Sequence, residues 1–172
     1  MCRMRQFSKA CSCKNWGCSE RSCAVPRHWE GDLICESKNS YIAHVLERQT
    51  PFTILAKVDG KKTDQMVSDL AGQMTPSQLK QSLTWDRGTK LASHQKFKVA
   101  TDIKVYFCDP SSPWQRGTNE NTNGVLRQYF PKGSCLSHYS QEELDEVTNH
   151  LNNRPRKTFG VLAPARRLEQ VL

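Results

Sequence analysis

Three carboxylates stand where metal-assisted phosphoryl chemistry could use them. Asp86 closes a short apolar run, Leu83-Thr84-Trp85-Asp86. Glu120 enters a helix-forming stretch after a strand-like run (Lys104 to Cys108), a turn at Asp109–Pro110 and a polar loop. Asp32 heads a third apolar segment in Trp29-Glu30-Gly31-Asp32-Leu33-Ile34. Two acids on strands and one on a later helix suit a site for two divalent cations, which clamp the attacking and leaving oxygens of a phosphodiester. Magnesium, or manganese in its place, matches such an oxygen-rich donor set. Each acid also has a plainer account. Asp32 could end a strand beside a turn. Asp86 could form a turn or pair with Arg87. Glu120 could be a first-turn glutamate favoured by the helix dipole. Asp109 competes for the third ligand position, although its turn role explains it sufficiently.

Polar and basic residues gather around these acids. Gln115, Arg116, Asn119, Asn121 and Asn123 flank Glu120, and amides and a guanidinium can hydrogen-bond phosphates and base edges. Capping and loop closure are the alternative. Arg87 and Lys90 follow Asp86 and could touch phosphate or support the ligands. Arg127 adds a further cation, and Arg154, Arg156 and Lys157 form a basic loop that a solvated turn explains equally well. Trp114 reads as a hydrophobic plug beneath the polar loop, with base stacking as the alternative.

The elements that must position these groups follow from the apolar pattern. Leu33 to Cys35, Tyr41 to Leu46 and Phe52 to Val58 read as three strands joined by short gaps, hence antiparallel. Their near-continuous apolar runs imply cover on both faces. Pro51 is tolerable at a strand's start. Asp64 to Met74 has helical spacing, with Thr63 as its cap. A short helix opens at Thr75–Pro76, a strand returns at Leu83–Asp86, a helix covers 93–100, and Lys104–Cys108 is the fifth strand. A crossover of that kind makes the last two strands parallel. Residues 140–153 give the cleanest helix, with a Ser140/Glu143 capping box and Leu144, Val147 and Leu151 as its buried face. Pro164 opens a final helix. The order is that of a mixed α/β sheet.

The chain has 172 residues, 37% hydrophobic, with a mean hydropathy of −0.68 and a net charge of +8. That length supports one ordinary domain. The charge favours a polyanionic partner, although much of it lies in residues 1–28. No apolar run reaches the roughly 18 residues of a membrane span, and no signal peptide is apparent. Cys2, Cys11, Cys13, Cys18 and Cys23 crowd the start, without the paired knuckles of common zinc folds. Zinc there, perhaps with His28, is the minor alternative. Cys35 and Cys108 read as reduced core filler in a cytoplasmic protein.

Five motifs carry a resemblance: HWEGDLI (28–34), LTWDRG (83–88), KVYFCDP (104–110), SPWQRGTNENTNGVLRQYFPKG (112–133) and LNNRPRKTFG (151–160). In this order they resemble the catalytic core of DDE transposases of the IS-thirty family, over about residues 25–172. The resemblance implies a ribonuclease H-like fold, with a five-stranded mixed sheet whose first strand is central and neighbours the fourth. It implies that Asp32, Asp86 and Glu120 are catalytic and hold two magnesium or manganese ions. The implied reaction is DNA cleavage at the element ends and strand transfer into target DNA. The implied partners are DNA and further copies of a transposase in the bacterial nucleoid, with no membrane. Residues 1–24 do not match, and read as a disordered, Cys-rich segment of a truncated or frame-shifted gene. The alternative function is therefore a non-autonomous remnant that binds DNA or dimerises without transposing.

Overall fold

The computed structural model describes residues 26–35, 41–58, 63–73, 82–85, 102–107, 117–156 and 160–171. Strands β1 (His28–Cys35), β2 (Tyr41–Glu47) and β3 (Thr53–Val58) precede helix α1 (Thr63–Gln73). Then come β4 (Ser82–Trp85), β5 (Lys104–Phe107) and α2 (Gly117–Leu126). A 3-10 turn (Leu136–His138), α3 (Gln141–Asn153) and α4 (Pro164–Val171) follow. The five strands form one sheet in the order β3-β2-β1-β4-β5. The first two pairings are antiparallel, and β1–β4 and β4–β5 are parallel. β1 is central and neighbours the fourth strand, as the resemblance implies.

Both faces of the sheet are covered, which explains the near-continuous apolar runs of β2 and β3. On one face Trp29, Val45, Ala56, Leu83 and Trp85 pack with Leu70 of α1 and with Ile103. On the other, Ile34, Ile42 and Leu55 pack with Leu126, Phe130, Leu136 and two residues of α3, Leu144 and Leu151. Strand parity sends Asp32, Glu30 and His28 to this second face, beneath α2 and α3.

The edge strand β3 is closed by amides rather than by another strand. Asn152 accepts from Thr53 N–H at 2.8 Å and donates to Thr53 C=O at 2.8 Å. Gln141 accepts from Lys57 N–H at 2.8 Å and donates to Leu55 C=O at 3.1 Å. The two amides lie about three turns apart, on one face of α3. They satisfy backbone groups that would otherwise invite another chain. α3 starts with the expected box: Ser140 Oγ accepts from Glu143 N–H, and Glu143 Oε2 accepts from Ser140 N–H.

Several boundaries move. β1 starts at His28, so Asp32 is its fifth residue and not the head of an apolar run. The polar residues that disguised the strand's start are satisfied by neighbours: His28 Nδ1 meets Ser82 Oγ at 2.7 Å, and Glu30 pairs with Arg48 at 2.8 Å. β4 runs Ser82–Trp85 and ends one residue before Asp86. Thr63 lies inside α1. Phe52 precedes β3, in a connection tied by the buried Glu47 carboxylate, which accepts from Arg27 N–H, Gln49 N–H, Thr50 N–H and Thr50 Oγ. Cys35 is exposed as the last residue of β1 and fills no core. The short helix expected to open at Thr75–Pro76 lies outside the described residues up to Ser82, where β4 begins, and the helix expected over 93–100, Cys108, Trp114 and the cysteines before residue 26 lie outside them altogether.

Candidate active site

The site is built on the central strand. Asp32 is half-buried in β1. Its Oδ1 accepts from Leu33 N–H at 2.8 Å, and its Oδ2 accepts a longer bond, 3.4 Å, from Asn123 Nδ2. A carboxylate offers about four lone-pair positions, more than these two bonds use. This half-open, oxygen-rich group fits a divalent cation.

Asn123 belongs to α2, and its bond to Asp32 ties that helix to β1. Glu120 lies on the same helix, one turn ahead of Asn123. Leu126 anchors the helix's other end in the apolar cluster with Ile34 and Ile42. On the same helix Asn119 and Thr122 are 1% and 2% exposed. Neither the Asn119 amide nor the Thr122 hydroxyl has a hydrogen-bond partner. Asn119 was expected as a nucleic-acid contact; it lies inside, on the helix's inner face, while Asn121 is exposed.

Pairing of β1 with β4 sets the second position. The parallel register runs from His28↔Ser82 to Gly31↔Trp85. Asp86 is the next residue after that last pair and lies outside the described residues, as do Arg87, Lys90, Gln115, Arg116 and Lys157. Gly31 is needed here. A Cβ on it would meet Trp85 Cζ3 at 2.0 Å, so only glycine lets the indole lie across β1.

The remaining described cations fall in two places along the chain, Arg127 after α2 and Arg154 with Arg156 after α3. Arg127 is half-buried just past α2, and its N–H donates to Asn123 C=O at 3.0 Å. Arg154 and Arg156 follow α3, where Asn152 bonds the far edge strand β3. That strand lies two strand spacings from β1, about 10 Å. Arg154 is exposed, whereas Arg156 is half-buried, and burial followed by Arg154's charge lowers its pKa.

Support beneath the site was not legible in the motifs. Glu30, 1% exposed and one step from Asp32 on the same strand face, pairs with Arg48. His28, bonded to Ser82, has its pKa lowered by burial first and by Arg48 second, partly opposed by Glu47. A period-two row of His28, Glu30 and Asp32 was the available signal.

Residues 23–113, a little over half of the chain, match the integrase core domain model. The transposase InsI of insertion sequence element IS30A from Escherichia coli K12 is 53% identical over 145 residues, 83% of this chain and 38% of that protein. The transposase of insertion sequence element IS1086 from Cupriavidus metallidurans is 47% identical over 151 residues, covering 86% of this chain and 44% of that protein. The chain thus spans less than half the length of these relatives. A simian T-cell lymphotropic virus intasome, solved with the PP2A regulatory subunit B56 gamma, superposes with a TM-score of 0.66 at 17% identity. That likeness covers 83% of this chain and 54% of that one, and it shows the ribonuclease H-like α/β fold. Members of this family generally use divalent metal ions. The chain belongs to the integrase core domain family, and within it is similar to the transposases of insertion sequence elements IS30A and IS1086.

Proposed function

We propose that residues 25–172 are the catalytic core of a DDE transposase that cuts DNA at insertion-sequence ends and joins it to target DNA, with Asp32, Asp86 and Glu120 as its catalytic carboxylates. One observation carries the reading. The parallel pairing of β1 with β4 aligns Gly31 with Trp85, so each strand reaches its acid at the following residue. The helix that holds Asn123 against Asp32 also carries Glu120. Magnesium or manganese, two ions per site, would supply Lewis acidity at the scissile phosphate when bound.

The chain's own residues supply position and charge. Asp32 presents oxygens fixed by Leu33 N–H and Asn123 Nδ2. The Glu30–Arg48 pair holds the strand below it, with its charge compensated inside the fold. Hydrolysis breaks the bond between phosphorus and the 3′ oxygen, which leaves as a hydroxyl. In the second step that hydroxyl attacks a target phosphodiester and one ester replaces another. Arg87, Lys90, Gln115, Arg116, Asn123 and Arg127 bind the DNA near the carboxylates. Arg154, Arg156 and Lys157 hold its backbone further out, in an assembly of several copies on bacterial chromosomal DNA. Asn119 acts from within α2.

Thermal unfolding with and without Mn2+, beside Asp86→Asn, tests the reading. A cation that binds only the folded chain stabilises it by about 2.7 kcal/mol at a hundredfold excess over its dissociation constant. Wild type should gain this stabilisation and Asp86→Asn should lose most of it. Equal gains in both would remove Asp86 from the site.

A further inference from the structure

The chain leaves α3 through a turn that gathers arginines. Arg154 is the C-terminal cap of α3 and is exposed. Arg156 N–H donates to Leu162 C=O at 3.1 Å, and Val161 N–H donates to Arg156 C=O at 3.2 Å. One residue on, Ala163 C=O accepts from Arg167 N–H at 3.0 Å, in the first turn of α4. These bonds run through adjacent residues, so the backbones of Arg156 and Arg167 lie within roughly 10 Å of each other. The turn before α4 is strained. Val161 has φ 69° and follows Gly160 at φ 63°, a region that β-branched residues seldom enter. Its side chain is exposed, so burial does not account for the strain. Strain of this kind clusters at ligand clamps and switch segments. Arg154, Arg156 and Arg167 have no ion-pair partner among the described residues. Arg156 is half-buried, and burial first and Arg154's charge second lower its pKa. Arg167 is half-buried too, with its Nε buried and without a hydrogen-bond partner. Like charges gathered and partly desolvated are unfavourable until an anion joins them.

We propose that Arg154, Arg156 and Arg167 form a clamp for the phosphate backbone of a DNA strand, and that the clamp closes on DNA without any metal ion. The proposal rests on the reading of the chain as a DNA-cutting core, and adds to it Arg167 and independence of the carboxylate site. A guanidinium keeps its charge and meets phosphate oxygens directly through paired N–H groups, so no bridging cation is needed. A DNA strand repeats its charge about every 3.4 Å along the axis, so a span of roughly 10 Å meets two or three phosphates. Contacts of this type fix position and carry no sequence information. Arg166 stands apart from the clamp: it pairs with Glu169 at 3.6 Å, and both side chains are exposed.

The test uses the full chain and a fluorescently labelled duplex of arbitrary sequence, titrated in EDTA at several salt concentrations. Arg154→Gln, Arg156→Gln and Arg167→Gln are compared with wild type and with Arg166→Gln. Each clamp variant should weaken binding about tenfold or more, the scale of a charge-assisted hydrogen bond. Each should also lower the slope of log affinity against log salt by about one, equally on unrelated sequences. Arg166→Gln should change the slope by much less. Arg154 is exposed, so Arg154→Gln decides the matter even if a half-buried arginine proves necessary for folding. Slopes unchanged in the clamp variants, or lowered as much by Arg166→Gln, would overturn the clamp. So would duplex binding that requires Mn2+, or polyglutamate bound as tightly as DNA in the same salt. In each of these cases, Mn2+-dependent cleavage by wild type would leave the reading as a DNA-cutting core standing. A wild-type chain that neither binds nor cuts duplex DNA would overturn that reading and the clamp with it.

Discussion

Replacing Gly31 with alanine should open the seam that carries the site. The new methyl would lie 2.0 Å from Trp85 Cζ3, 2.1 Å from Cε3 and 3.1 Å from Cη2. Carbon atoms in contact sit about 3.5–4.0 Å apart, so the indole must move by well over an ångström or β1 and β4 must part. Neither is cheap. Trp85 is 2% exposed and locked among Trp29, Leu83 and Val45. Overpacking costs about 1–3 kcal/mol, and this overlap places Gly31→Ala at the upper end. For a chain of this size that lowers Tm by roughly 6–12 °C. Urea unfolding of wild type, Gly31→Ala, Trp85→Val and the double variant measures the cost and its origin. The smaller side chain should relieve the clash, so the double variant should be more stable than the sum of the singles predicts, by about 0.5–3 kcal/mol. A Gly31→Ala chain within about 0.5 kcal/mol of wild type, or strict additivity, would refute this account of the seam.

Two further predictions follow from the sheet's margins. Asn152→Leu strands the buried Thr53 N–H and C=O, and should cost roughly 2–5 kcal/mol by urea unfolding; a loss under about 1 kcal/mol would mean that water serves the edge equally well. His28 has a folded pKa below its ordinary 6.5, because burial disfavours its charge and Arg48 repels it. The unfolded chain therefore binds this proton more readily, and stability, complete above pH 6.5, should fall as pH drops from there through the lowered folded value. His28→Gln should flatten that part of the pH–stability curve, and an unchanged slope would count against it.

The sheet was legible because its strands are covered on both faces. β2 and β3 are apolar at nearly every position, and that burial is what the runs record. α3 was legible because its cap is local: Ser140 and Glu143 bond to each other's backbone without help from the fold. The start of β1 was obscured because His28 and Glu30 are polar residues made buriable by Ser82 and Arg48, which are remote in sequence. Asp32 was found as a residue type within a motif, but its setting was not. The register that opposes it to His44 and the helix that brings Asn123 to its Oδ2 are tertiary facts. The same holds for the Asn152 and Gln141 amides on β3, whose side chains read along α3 simply as polar helix positions.

The most direct test of the central claim is cleavage of a labelled duplex carrying an insertion-sequence end, with Mn2+ or Mg2+ present. Wild type, Asp32→Asn, Asp86→Asn and Glu120→Gln are compared, each first shown to be folded. The account predicts metal-dependent release of a 3′-hydroxyl end by wild type, lost in every one of the three variants. Cleavage that survives any of these substitutions at the wild-type rate would contradict it.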